Sequence, residues 1–247
     1  MRVHLQPAYL LHRRPFRDNT EVAELFSAEY GRIAVMARGM TRRRRGGALA
    51  ALLQPFRPLL VSYSGRGELP ALTGVEGAGA LPALVGEALL SGFYLNELLL
   101  RLLERDQPQP ALFTTYGAAL GDLADRGPGG VEPILRGFEF ELLRELGYAV
   151  DFAREAVSGT PLRAELQYRL VPEQGFYVAE EVREGGAGQS DRYAGEALLA
   201  VAAGRYDGGA APVAKQLIRA LLHPHLGSRP LRSRDMFRAW RRTGAAS

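Results

Sequence analysis

The chain contains no cysteine and a single lysine, Lys215, beside thirty arginines. Without cysteine there can be no disulfide, no thiolate nucleophile and no cysteine zinc site. That fits a reducing compartment. The arginine-for-lysine bias is what a GC-rich coding sequence produces, and it also favours planar, bidentate contacts to phosphate. No apolar run reaches the ~18 residues that a membrane span needs. The start, Met1-Arg-Val-His-Leu-Gln-Pro7, lacks the apolar stretch and small-residue cleavage site of a signal peptide, so neither membrane nor secretion is expected.

Catalytic signatures are also missing. There is no phosphate-binding G-x-x-x-x-G-K-[ST], no G-x-S-x-G and no H-E-x-x-H. The four histidines are His4, His12, His223 and His225. His223-Pro-His225 sets two imidazoles close together with no third ligand near, and reads as a surface turn ending a helix. The pairs Glu139/Glu141 and Glu180/Glu181 read as solvated charges. No assembled active site, metal site or cofactor is expected.

What the chain does have is charge sorted by position. Residues 1–80 carry twelve Arg against six acids, residues 81–228 twelve Arg and one Lys against twenty, and residues 229–247 six Arg against Asp235. The nets are +6, −7 and +5, which sum to the overall +4. Two positive ends around an acidic middle suit a polyanion bound at the ends. Hydrophobic content of 47% and charged content of 23% are those of a chain that buries a core.

Residues 1–79 read as β. Candidate strands are 8–13, 22–26, 32–37, 56–63 and 68–75, with Gly31 at the turn of the first hairpin and Arg66 in the turn of the second. Five short strands in so few residues suggest a closed barrel, which has no exposed edges, and the OB-fold is the five-stranded barrel that most often handles nucleic acid. Gly74 to Pro82 breaks the pattern. Residues 80–247 then read as a mainly helical domain, with helices over 83–105, 111–125, 131–146, 191–203, 211–226 and 234–241, Ser233 capping the last. An irregular segment at about 148–180 holds a hairpin, 166–170 with 176–179, and a Gly-rich loop follows at 185–190. The fold class is therefore α+β: an N-terminal five-stranded OB barrel, then a helical domain with a small hairpin insertion.

Two arginine clusters are candidate phosphate surfaces. Arg38, Arg42, Arg43, Arg44 and Arg45 follow the third strand, and neutralising phosphates there would release condensed counterions. Tyr9, Phe16, Phe26, Tyr30, Phe56 and Tyr63 supply aromatics that could stack on bases, although most should be core; Tyr30, in a turn, is the one expected to be exposed. At the other end, Met236, Phe237 and Trp240 should dock the last helix, so that Arg234, Arg238 and Arg241 face outward. Arg66, Arg232, Arg234 and Arg238 complete the candidate DNA contacts.

Five segments stand out in order and spacing: Gly31-Arg-Ile-Ala-Val-Met-Ala-Arg-Gly39 with the basic loop, Leu53-Gln-Pro-Phe-Arg-Pro-Leu-Leu60, Gly92-Phe-Tyr-Leu-Asn-Glu-Leu-Leu99, Leu135-Arg-Gly-Phe-Glu-Phe-Glu-Leu-Leu143 with Leu146-Gly-Tyr148, and Arg229-Pro-Leu-Arg-Ser-Arg-Asp-Met-Phe237. Together they resemble the bacterial recombination mediator family RecO over nearly the whole chain, and its proteobacterial branch most. The resemblance implies an OB-fold followed by a helical domain, and a cytoplasmic, nucleoid-associated protein without enzymatic turnover. It implies binding of single- and double-stranded DNA, annealing of complementary strands, and action with RecR to help RecA replace single-strand-binding protein (SSB). It further implies that the helical domain holds the acidic, phenylalanine-terminated tail of SSB. Many members carry a four-cysteine zinc site in the region of residues 150–180, which this chain cannot form. For the tail, Arg136 is expected as the carboxylate clamp, with Leu112, Tyr116, Leu120, Leu135 and Phe138 as the apolar groove. Two other readings remain open from the residues alone: a protein-interaction adaptor whose basic barrel docks an acidic partner, and a metal-dependent nuclease.

Overall fold

The structure is a computed structural model in which residues 2–17, 20–38, 51–125, 130–179 and 192–244 are described. The arginine run 42–45 and the Gly-rich loop 185–190 lie outside the described residues. Two compact units form, one from Met1–Val131 with Arg229–Ser247, the other from Glu132–Ser228. This division differs from a break at 79/80, because two helices and the C-terminal segment pack with the barrel.

The first unit opens with β1 (Arg2–Arg17), β2 (Thr20–Ser27), β3 (Gly31–Arg38), β4 (Pro58–Ser64) and β5 (Ala71–Gly77), closed in the order β1-β2-β3-β5-β4. This is the OB topology, with β3 and β5 parallel where Met36 meets Ala71 and antiparallel pairs elsewhere. β1 is longer than the sequence pattern suggests because it serves two neighbours. Its first half pairs with β4 and its second half with β2. Pro7 and Pro15 lie within it and disguise it, since proline usually marks the end or edge of a strand. Ala23 and Leu25, Ile33, Val35 and Ala37, and Leu59, Val61 and Tyr63 alternate into the barrel interior as the period of two requires.

β2 is buried on both faces, so its pattern is continuous rather than alternating. Its second face meets α2 (Pro110–Asp125) through Phe26, while α1 (Gly86–Leu102) packs on β1. Tyr9 and Phe26 meet Phe113 and Tyr116 of α2 at ring-centroid distances of 5.0 to 6.2 Å. Gly117 on α2 is needed there, because a Cβ would sit 2.8 Å from the Tyr9 hydroxyl.

The pin in this packing is Asn96 of α1, which is 2% exposed. β1 is bulged between Leu10 and His12, and a bulge takes backbone groups out of the ladder. The Asn96 amide donates to the Leu11 carbonyl at 3.0 Å, and its Oδ1 accepts from the Tyr116 hydroxyl. One side chain thus joins the barrel and both helices. Arg32 of β3 makes a second joint: its guanidinium donates to the Leu100 and Leu103 carbonyls at 2.6 and 3.1 Å, at the C-terminal end of α1, where the helix dipole favours a cation.

The second unit contains α3 (Val131–Glu145), β6 (Gln167–Val171), β7 (Gly175–Val178), β8 (Arg192–Ala194), α4 (Gly195–Ala202) and α5 (Ala210–Leu226), with sheet order β7-β6-β8. The expected hairpin is β6–β7. The third strand was expected to be helix: Arg192 to Ala194 pair with β6, and the helix begins only at Gly195, whose Cβ, had it one, would lie 1.9 Å from the Arg163 carbonyl oxygen. His223 and His225 sit inside the last turn of α5 rather than in a turn beyond it, and His225 stacks on Tyr148 at 3.7 Å. Among the described residues no helix is long and apolar enough to cross a membrane, and no group of three or more His, Asp or Glu could hold a metal ion.

Asn96→Leu should destabilise the chain by about 1–3 kcal/mol for each buried group that loses its bond. Adding Tyr116→Phe should recover part of that loss, because the hydroxyl is then gone. Urea unfolding of the single and double variants measures both.

Candidate nucleic-acid interface

The expected DNA-contacting arginines that can be placed are all exposed. Arg38 ends β3, Arg66 lies in the β4–β5 turn, and Arg232, Arg234 and Arg238 lie on the C-terminal helix α6 (Arg232–Gly244). Arg234 and Arg238 are four apart and share a helix face with Arg241, while Arg232 lies round the helix from them. Two of these charges have nearby acids: Arg238 faces Asp235 at 3.4 Å and Arg241 faces Glu87 of α1 at 3.6 Å.

α6 is held by a clamp on α1 that was not visible in the sequence. The Glu97 carboxylate accepts from the Arg232 amide at 2.9 Å, the Ser233 amide at 2.8 Å and the Ser233 hydroxyl at 2.7 Å. Four residues on, Arg101 donates to the Arg229 and Pro230 carbonyls and pairs with Glu97 at 3.0 Å. The helix cap therefore comes from another helix, and the Ser233 hydroxyl donates to that carboxylate instead of capping α6 itself. A carboxylate at a helix N-terminus also meets the positive end of the dipole. Burial alone would raise the Glu97 carboxyl, but the bonds from Ser233 and Arg232 and the charge of Arg101 outweigh it and hold it below the ordinary carboxylate range. The anchors of the docked helix are Leu231 and Ser233, with Phe237 half-buried. Met236 and Trp240, expected to dock, remain 41% and 42% exposed.

The aromatic expectations also need correction. Tyr30 is half-buried against the barrel core and meets Tyr63 edge-on at 6.2 Å. Phe26, Phe56 and Tyr63 are buried, and Tyr9 packs on α2. The exposed aromatic of the barrel is Phe16, at 43%.

The expected apolar groove is not an open surface. Leu112, Tyr116 and Leu120 are buried in the first unit, where Tyr116 is bonded to Asn96 and packed on Tyr9 and Phe26. In the second unit Leu135 and Phe138 are buried, and Arg136 is 8% exposed. Its guanidinium already grips a carboxylate: Nε lies 2.8 Å and Nη2 3.0 Å from the two oxygens of the fully buried Glu139, one turn along α3. Helical spacing placed these residues on the inner faces of their helices, and inner faces are core before they are groove.

Glu97→Gln should loosen α6. The lone tryptophan, Trp240, reports this as a shift of its emission toward that of solvated indole. The same shift should appear in the unaltered chain in acid. A lowered carboxyl stabilises docking fully above the ordinary pKa of about 4.5 and loses that contribution as pH falls through its own, lower value. Arg136→Ala should cost about 3–5 kcal/mol, because it leaves the buried Glu139 carboxylate without this partner. Arg136→Met with Glu139→Leu should restore most of that stability in thermal or urea unfolding.

The barrel and the helical region each find a counterpart among known proteins. Residues 1–80 match the family described as Recombination protein O N terminal, and residues 84–235 match Recombination protein O C terminal. A DNA repair protein RecO from Alkalilimnicola ehrlichii is 47% identical over 250 residues, covering 100% of this chain and 95% of its own length. One from Cellvibrio japonicus is 46% identical, covering 96% of this chain and 98% of its own. One from Haemophilus influenzae is 41% identical, covering 96% and 97%. With both family regions present in order and full-length relatives well above 30% identity, the chain belongs to the RecO family of DNA repair proteins.

Proposed function

We propose that this chain is a non-enzymatic mediator of recombinational DNA repair that binds single- and double-stranded DNA and anneals complementary strands, including strands coated with SSB. The observation that carries the reading is an OB barrel in a DNA repair family, with Arg38 and Arg66 exposed on it and a docked arginine helix, α6, in the same compact unit. Each phosphate neutralised by such a cluster releases counterions, so binding is salt-dependent and largely indifferent to sequence. Two complementary strands neutralised on one surface lose much of their mutual repulsion, and pairing can follow without nucleotide hydrolysis.

The partners proposed with this activity are RecR, with which the chain would promote RecA loading, and the C-terminal tail of SSB, all in the cytoplasm at the nucleoid. Because Arg136 is paired with buried Glu139, a tail carboxylate there must share or displace that partner. A tail site with Arg136 at its centre is thus a switchable contact rather than a preformed clamp.

The test is annealing of complementary oligonucleotides coated with cognate SSB, either full-length or lacking its C-terminal tail. Acceleration that depends on the tail is expected. Equal acceleration on both would retain DNA annealing and remove the tail contact. No annealing and no oligonucleotide binding would leave the adaptor reading, with an acidic protein on the barrel. Strand cleavage in magnesium or manganese would show an enzyme instead.

A further inference from the structure

Beyond its pairing with β4, β1 continues beside β2 and β3 as the outer strand of a three-stranded ribbon, and that outer strand is unusual. The six residues His12 to Arg17 are all exposed, although β1 is largely buried from Ala8 to Leu11. Pro15 pairs with Glu21 and Arg17 with Thr20, so β1 advances two residues while β2 advances one. Phe16 is the extra residue of that step, a β-bulge. Bulges re-aim side chains, and this one sends a phenyl ring outward at the end of the ribbon instead of toward the core. The Arg17 guanidinium lies 5.4 Å from the ring centroid, within cation–π range, while Phe16 stays 43% exposed.

The surroundings are cationic. Thr20, the partner of Arg17, also pairs with Arg38 across β2 and β3, so Arg17, Thr20 and Arg38 form one row across three strands. Arg14 is exposed beside Val22. Arg13 lies 3.8 Å from Glu21, whereas among the described residues neither Arg14 nor Arg17 has a carboxylate partner. A large exposed apolar ring contributes little to folding where it stands, and the charge around it selects an anion.

We propose that Phe16 is a base-stacking residue: an unpaired base of single-stranded nucleic acid stacks on its ring while Arg14, Arg17 and Arg38 hold the adjoining phosphates. This rests on the DNA-binding reading above and adds to it a residue and a preference. A flat aromatic ring offers stacking to a splayed base of any identity, whereas the bases of a duplex already stack on one another. The chemistry therefore favours single strands over duplex, with little dependence on sequence. A purely acidic peptide would satisfy the arginines but has no flat group to lay on the exposed ring face.

The test uses the full chain with single-stranded oligonucleotides carrying 2-aminopurine, whose fluorescence falls on stacking, and with a duplex of matched length. Phe16→Ala should weaken single-strand binding about tenfold and abolish the quench, as removal of a stacking platform does. Phe16→Tyr should retain both, and Phe16→Leu, apolar but not flat, should behave as the alanine variant. Duplex affinity should change far less. Arg14→Ala and Arg17→Ala should each lower the slope of log affinity against log salt by about 0.7, whereas Phe16→Ala should leave that slope unchanged. Unaltered chain that binds oligonucleotides, with Phe16→Ala and Phe16→Leu indistinguishable from it, would overturn the stacking role and spare the DNA-binding reading. Phe16-dependent capture of a polyglutamate peptide without any Phe16 effect on oligonucleotides would also overturn it. Unaltered chain that binds no oligonucleotide would remove the DNA-binding reading and this inference together.

Discussion

A buried amide decides how the first unit is put together. β1 must pair with β4 at its start and β2 at its end, and it manages both by bulging, which leaves carbonyls outside the ladder in a place no water reaches. Asn96 meets that demand from α1 and passes its own acceptor to Tyr116 of α2. An aliphatic residue there would fill the space but leave polar groups without partners, and a charged one would bring desolvation that nothing nearby compensates. Burial holds the Tyr116 hydroxyl well above its ordinary pKa, helped by Tyr9, so it stays a neutral donor. Asn96 thus fixes β1 against both helices, and the Arg32 joint to the end of α1 and the Glu97 clamp on α6 build on helices held in that position.

Acids in this unit are used to set arginines in place rather than to neutralise the surface. Glu24, 6% exposed on β2, accepts from Arg32 at 3.2 Å and also from Arg105, fastening the barrel to the segment after α1. Glu97 captures backbone amides of α6, and Glu87 lies near Arg241 at the far end of that helix. These carboxylates sit on structural joints and leave Arg14, Arg17, Arg38, Arg66, Arg232 and Arg234 exposed. The excess of positive charge that the sequence shows at its two ends is therefore displayed on the folded unit instead of being cancelled within it.

The barrel was legible because its inward positions alternate and Gly31 marks the first hairpin. The helices were legible by their leucine spacing. What the sequence hid has physical causes. Prolines inside β1 mask a strand that tolerates them where the ladder needs no donor. β8 is three residues long and abuts a helix, so its pattern merges with that of α4. The aromatic that faces solvent could not be told from its neighbours, since a bulge that turns Phe16 outward is a matter of register between two strands and leaves no periodic trace. Arg136 was expected, from the resemblance, to clamp a tail carboxylate; the carboxylate it holds in the structure is Glu139 three residues along, and local pairing is the first answer such spacing offers.

The turn at residues 153–162 shows how the second unit shapes an irregular segment without a cysteine. Glu155 lies at its centre, and its carboxylate accepts from the backbone amides of Val157 at 3.0 Å and Ser158 at 2.5 Å. Its own amide donates to the Thr160 carbonyl at 2.9 Å, and Leu162 returns a bond to Ala153 at 2.9 Å. Burial in the turn would raise the carboxyl, but the bonds from Ser158 and Val157 prevail and hold it low, so the group stays ionised. The Ala156 amide then donates to the Phe176 carbonyl at 2.7 Å, linking the turn to β7. Phe176 is fully buried and lies 5.2 Å from Phe152, which meets Phe140 of α3 at 5.5 Å. A carboxylate and three aromatic rings thereby tie the irregular segment to both the sheet and the helix.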